Sequence, residues 1–253
     1  MLDERFLIAN LVNSKFSNDY EILIDFYNIV SEASLKANEY NAFQMKLQWF
    51  LDSLSSNNLT GHKELDLFKQ LIPKYNLDIN EFILMIEAKN IDLDSIRFNS
   101  QEELITYAKI TGGMLYENLG KIAQISNKNS LQIINKIGEL YAIVGIIRNS
   151  KFLQNKNIHS LIYSANSLEK SYEADLKDNI KNLIFYIKNQ FSQLILTNQK
   201  THLFSLLNIF TKNYIKSIER KGFLIHSANI FDIKNIVYIK LIFKFIFLKI
   251  NFF

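Results

Sequence analysis

The sequence predicts an all-α protein in a single domain, and three observations carry that prediction. Apolar residues recur at the three-and-four spacing of an amphipathic helix through most of the 253 residues. One proline and seven glycines leave few positions at which a helix can break. No Gly/Ser/Pro-rich linker, low-complexity tail or repeat divides the chain, and a 48% hydrophobic content suffices for one full core at this length.

The elements follow in order. Residues 19–38 place Ile22, Phe26, Ile29, Val30 and Ala33 on one helical face, and residues 43–54 do the same with Leu47, Phe50, Leu51 and Leu54. Gly61 and His62 lead into a helix over 63–72 that Pro73 should stop. Asp78 with Glu81 three residues on reads as a capping box opening a helix over 79–90. Ser100 and its following acids open a long helix to about residue 125, and an almost wholly apolar helix covers 130–149. A polar loop is expected at 150–158, then three amphipathic helices to about 221. The helical domain spans 1–230, and 231–253 form a last apolar helix.

Composition excludes several functions. A net charge of +4 spread along the chain, with no basic block, argues against nucleic acid as a partner. Without cysteine there are no disulfides, thiolate metal sites or cysteine nucleophiles, in keeping with a cytoplasmic location. The opening residues, with Asp3 and Glu4, form neither a secretory signal nor a mitochondrial presequence. Residues 236–253 are nearly all Ile, Phe, Leu, Val and Tyr but carry Lys240, Lys244 and Lys249, which argues against spanning a membrane. Two readings stand for this segment: a helix packed on the bundle, or one lying on a membrane surface. The histidines His62, His159, His202 and His226 have no ligand-like spacing, and no HExxH, GxSxG, Walker A or GxGxxG pattern occurs.

Five stretches, in order, carry a resemblance. They are 26–33 (FYNIVSEA), 45–54 (MKLQWFLDSL), 84–93 (LMIEAKNIDL), 107–113 (YAKITGG) and 137–149 (IGELYAIVGIIRN). Together they resemble the squalene/phytoene synthase family over roughly residues 3–160, especially its bacterial and mitochondrial members that lack the aspartate-rich motifs. The resemblance implies an isoprenoid-synthase-like helical bundle.

That family joins prenyl diphosphates on Mg²⁺ held by carboxylates four residues apart on two facing helices, since the metal offsets the charge developing on the diphosphate. On this chain the resemblance places the first acidic motif at Ser34 to Asn38 and the second at Asn149 to Leu153, so neither pair retains a carboxylate. Polar residues of the same helix in synthases fall on Ala142 and Gly145. The implied consequence is a protein with no cofactor, no metal and no catalytic residue. Glu87, Asp92 and Asp94, at one helix end, are the substitute acids to weigh as metal ligands, against a hydrogen-bonded helix terminus.

Gly138, Ala142 and Gly145 make a small-residue stripe beside Arg148, with Tyr107, Gly112 and Gly113 on the preceding helix. Such a stripe either floors a lipid-sized cavity or lets two helix backbones approach, and packing is the preferred reading. The resemblance implies a silent synthase-like protein acting as a binding or assembly factor, with a subunit of respiratory complex I as partner. It would work at the inner face of the membrane, through the Trp49 region and residues 236–253. A divergent prenyl transferase and a lipid or prenyl carrier are the alternatives.

Overall fold

The computed structural model describes residues 15–33, 39–56, 58–155, 158–161, 172–194 and 202–223. Ser34, Asn38 and the apolar segment 231–253 lie outside them. The described elements are helical: α1 (Ser17–Ser31), α2 (Tyr40–Ser55), α3 (Lys63–Tyr75), α4 (Ile79–Ala88), α5 (Gln101–Ala108), α6 (Met114–Ile122), α7 (Lys128–Gln154), α8 (Tyr172–Gln193) and α9 (His202–Arg220). A 3₁₀ turn, Lys89–Leu93, extends α4, and a π turn, Lys109–Gly113, joins α5 to α6.

Aromatic packing ties the first helices together. Phe26 of α1 stacks on Phe68 of α3 at 3.9 Å with nearly parallel rings, and Phe82 of α4 meets both edge-on. The loop between α2 and α3 is clamped from α3. The Lys69 ammonium donates to the carbonyls of Ser53, Ser56 and Asn58 at 3.0, 2.6 and 2.7 Å, which caps α2 with charge of the favourable sign. Asp66 accepts from the Thr60 amide and hydroxyl and the Gly61 amide, and these bonds hold its carboxyl below the usual range.

Pro73 does not stop α3, which runs on to Tyr75. The proline lies in the last turn, where it removes few intrahelical bonds. Asn76 then turns left-handed at φ 50° and the Leu77 amide closes on the Ile72 carbonyl at 2.9 Å. Asp78 does cap α4, by accepting from the Asn80 amide, but Glu81 does not reach back to complete the box. Its carboxylate instead takes Lys121 at 2.9 Å and Asn118 at 2.7 Å, both on α6. Ser100 caps α5 as expected, accepting from the Glu103 amide. The expected polar loop after residue 149 starts later, because α7 continues through Gln154.

α7 is the axis of the molecule. At 27 residues it is about 40 Å long. Ile134, Ile137, Leu140, Ile143, Val144 and Ile147 are buried, and it packs against α5, the π turn, α6, α8 and α9. By length and composition alone Lys128–Ser150 could cross a membrane, yet half of that window is covered by the bundle. Beyond α7 the chain returns beside the loop after α4. The His159 amide donates to the Ser95 carbonyl at 2.7 Å, and the Arg97 amide to the His159 carbonyl at 3.0 Å.

Candidate functional site

The middle of α7 meets the π turn at a distance only glycine allows. A Cβ on Gly112 would lie 2.4 Å from the Ala142 Cβ and 2.8 Å from the Gly138 carbonyl. One on Gly138 would lie 2.7 Å from the Gly112 carbonyl, and one on Gly113 would strike the Asn135 side chain. Gly112, Gly113, Gly138 and Ala142 therefore make a close helix contact. Gly145 does not share in it: no described atom comes within 4 Å of a Cβ built there, so the stripe divides into a packed half and an open position.

One turn further on, the Arg148 guanidinium lies over the buried Tyr214 ring of α9, 3.9 Å from its centre. Asn149 is exposed, whereas Leu153 is buried. A neutral amide at the surface and a buried isobutyl group do not fit a Mg²⁺ ion, which demands anionic oxygens converging on one point.

The three acids weighed as metal ligands are not gathered. Glu87 is exposed, Asp94 is half-buried and Asp92 is 5% exposed. Asp92 is turned to cations of the protein itself. Its Oδ1 accepts from the Tyr107 hydroxyl at 2.7 Å and lies 3.7 Å from Arg97, while its Oδ2 lies 3.8 Å from the Lys89 ammonium. Arg97 also donates to the Asp92 carbonyl. Lys89 in turn donates to the Tyr107 hydroxyl at 2.9 Å and sits against the rings of Tyr27 and Tyr107. Burial by itself works against the Lys89 ammonium, but Tyr107, Tyr27 and Asp92 outweigh it and hold the proton beyond the ordinary lysine range. Burial first, and the Asp92 charge second, push the Tyr107 phenol up. Tyr107 is thus the centre of a buried ionic cluster. Among the described residues, no group of three or more acidic or histidine side chains could hold a metal ion.

A second buried cluster escaped the sequence reading. Glu139, in the middle of α7, is 1% exposed, and accepts from Lys136 at 2.8 Å and from the Tyr186 hydroxyl of α8 at 2.8 Å. Burial, followed by the bond to Glu139, pushes the Tyr186 phenol up. A single acid inside an apolar run, with a lysine three residues before it, was the available signal. On α2 Trp49 is 38% exposed and Met45 74% exposed, and Leu59 of the clamped loop is also exposed.

The squalene/phytoene synthase family model matches residues 15–158. Among solved structures, a dehydrosqualene synthase in complex with ligand superposes with a TM-score of 0.72 at 14% identity, covering 98% of this chain and 93% of that one. The squalene synthase HpnC from Alicyclobacillus acidocaldarius superposes at 0.67 with 12% identity, covering 88% and 90%. At these identities the two structures speak to the fold. No curated protein shows a significant sequence match.

Proposed function

The chain belongs to the squalene/phytoene synthase family, and from that premise we propose that it acts by binding and not by joining prenyl diphosphates. The observation that supports this reading is the end of α7, where Asn149 is exposed and Leu153 buried at the positions to which the resemblance assigns the second acidic pair. Ionising an allylic diphosphate requires strong stabilisation of the departing charge, and no carboxylate remains there to hold the metal that would supply it. The engagement of Asp92 by Lys89, Tyr107 and Arg97 supports the same reading, since it takes the best-placed substitute acid out of contention.

Purified protein given farnesyl or geranylgeranyl diphosphate with Mg²⁺ is expected to release no pyrophosphate. Sustained release that depends on the metal would overturn the proposal in favour of a divergent transferase. The specific form we propose for the binding role is assembly of respiratory complex I, on the resemblance to members lacking the aspartate-rich motifs. Deleting the gene should then lower membrane NADH dehydrogenase activity and leave isoprenoid products unchanged. The reverse pattern would sink the assembly role.

A further inference from the structure

The loop between α2 and α3 holds an apolar side chain out in solvent, and it is fixed in place while doing so. Leu59 is 80% exposed, yet both of its neighbours are bonded to α3. The Asn58 carbonyl accepts from the Lys69 ammonium at 2.7 Å, and the Thr60 amide donates to Asp66 at 2.8 Å. The His62 ring brings the loop against α2, 5.8 Å from the Trp49 ring. On α2 Ala42, Met45 and Trp49 are exposed at i, i+3 and i+7, so they share one helical face. A lone exposed leucine is ordinary, but a leucine, a methionine and a tryptophan on adjoining fixed elements mark an interaction surface.

We propose that this face docks on a lipid bilayer, with Met45 and Leu59 in the acyl region and Trp49 at the headgroup level. Three observations favour a bilayer over a protein. Side chains as exposed as Met45 and Leu59 project from the surface. Acyl chains close around a projection of any shape, whereas a protein must hold a fitted hollow for it. The charges from Glu39 to Lys63 are all exposed and cancel, Lys46 and Lys63 against Glu39 and Asp52, so the patch has no net field to steer a charged partner. The chain also carries a cationic apolar stretch, residues 236–253, with three lysines and no acid. Stable attachment to a bilayer takes two signals, and the α2 face supplies one of them. An indole, apolar with a single N–H donor, is a side chain enriched at the headgroup level. Such docking gives the binding role above a site, and it is tested apart from that role, through neither pyrophosphate release nor NADH dehydrogenase activity.

Trp49 is the only tryptophan of the chain, so tryptophan fluorescence reports on this face alone. Full-length protein mixed with vesicles of phosphatidylcholine and phosphatidylglycerol should show its emission move to the blue. Lipids brominated on the acyl chains should quench it. Met45→Gln and Leu59→Gln, at exposed positions where the fold tolerates change, should each weaken vesicle binding by about tenfold with the helical circular dichroism retained. Met45→Leu and Leu59→Met keep the apolar contact and should bind as the parent does. Absence of quenching overturns the proposal, and so does vesicle binding that leaves Trp49 unquenched, which would place the contact elsewhere on the chain. Unchanged binding by both glutamine variants overturns it too. A dimer in light scattering that the glutamine variants dissolve, without vesicle binding, would assign the face to a second copy of the chain instead.

Discussion

The Arg148 guanidinium of α7 rests 3.9 Å from the centre of the Tyr214 ring of α9. Tyr214 is fully buried, and the stack joins the end of α7 to the last described helix. Tyr214→Ala should cost about 3–5 kcal/mol by opening a cavity. Arg148→Met should cost less, about 0.5–2 kcal/mol, since it keeps much of the packing and loses the charge–ring attraction. Chemical denaturation would measure both, and no loss for Arg148→Met would show that the stack contributes nothing beyond volume.

Asp92 and Lys89 should behave as a pair. Removing Asp92 leaves the buried Lys89 ammonium without its carboxylate, so Asp92→Leu should cost about 3–5 kcal/mol, and Lys89→Met less, since Arg97 stays beside Asp92. The double variant should be far milder than the sum. A double-mutant cycle of unfolding free energies reads the coupling directly, and additivity would refute it.

Glycine-to-alanine changes on α7 should have opposite signs. Gly138→Ala drives a methyl group against the Gly112 carbonyl and Tyr116, and should destabilise by about 1–3 kcal/mol. Gly145→Ala meets no described atom within 4 Å and gains helix propensity, so it should stabilise by roughly 0.5–1 kcal/mol. Thermal melting of the two variants against the parent decides this.

Alkali should unfold the protein through its buried phenols. Burial raises Tyr20, Tyr107 and Tyr186 above the ordinary 10.0, helped respectively by Tyr75, Asp92 and the bond to Glu139. A folded-state value above the unfolded one means that the stabilisation is complete below pH 10 and declines as the pH rises past it. Tyrosinate absorbance should therefore rise in two steps, the later coinciding with loss of helical circular dichroism. A single step with the helix intact would contradict the burial of these three groups.

Much of this architecture is legible in the residues, and what is not has definable causes. Helical periodicity locates α1 to α7 because each buries one face. The Gly112–Gly113 pair and the Gly138, Ala142 stripe announce a close contact, since only small side chains fit between backbones. The π turn is invisible because one extra residue barely disturbs a 3.6-residue period. Pro73 misleads because the cost of a proline depends on how many turns follow it. Glu81 has the spacing of a capping residue, yet the basic Lys121 and the amide of Asn118 on α6 compete for its carboxylate and win. Glu139 and Tyr186 stand 47 residues apart, and nothing local to either predicts the bond.

The placement of α7 also bears on the order in which the chain is made. Its partners α5, the π turn and α6 precede it, so on emerging from the ribosome it can dock at once on the Gly112–Gly138 contact. Its other flank, including Glu139 and Arg148, must wait for Tyr186 and Tyr214. Until then this helix, by length and composition able to cross a bilayer, lacks the cover that α8 and α9 give it. The glycine contact is thus the first cover that this apolar helix can gain.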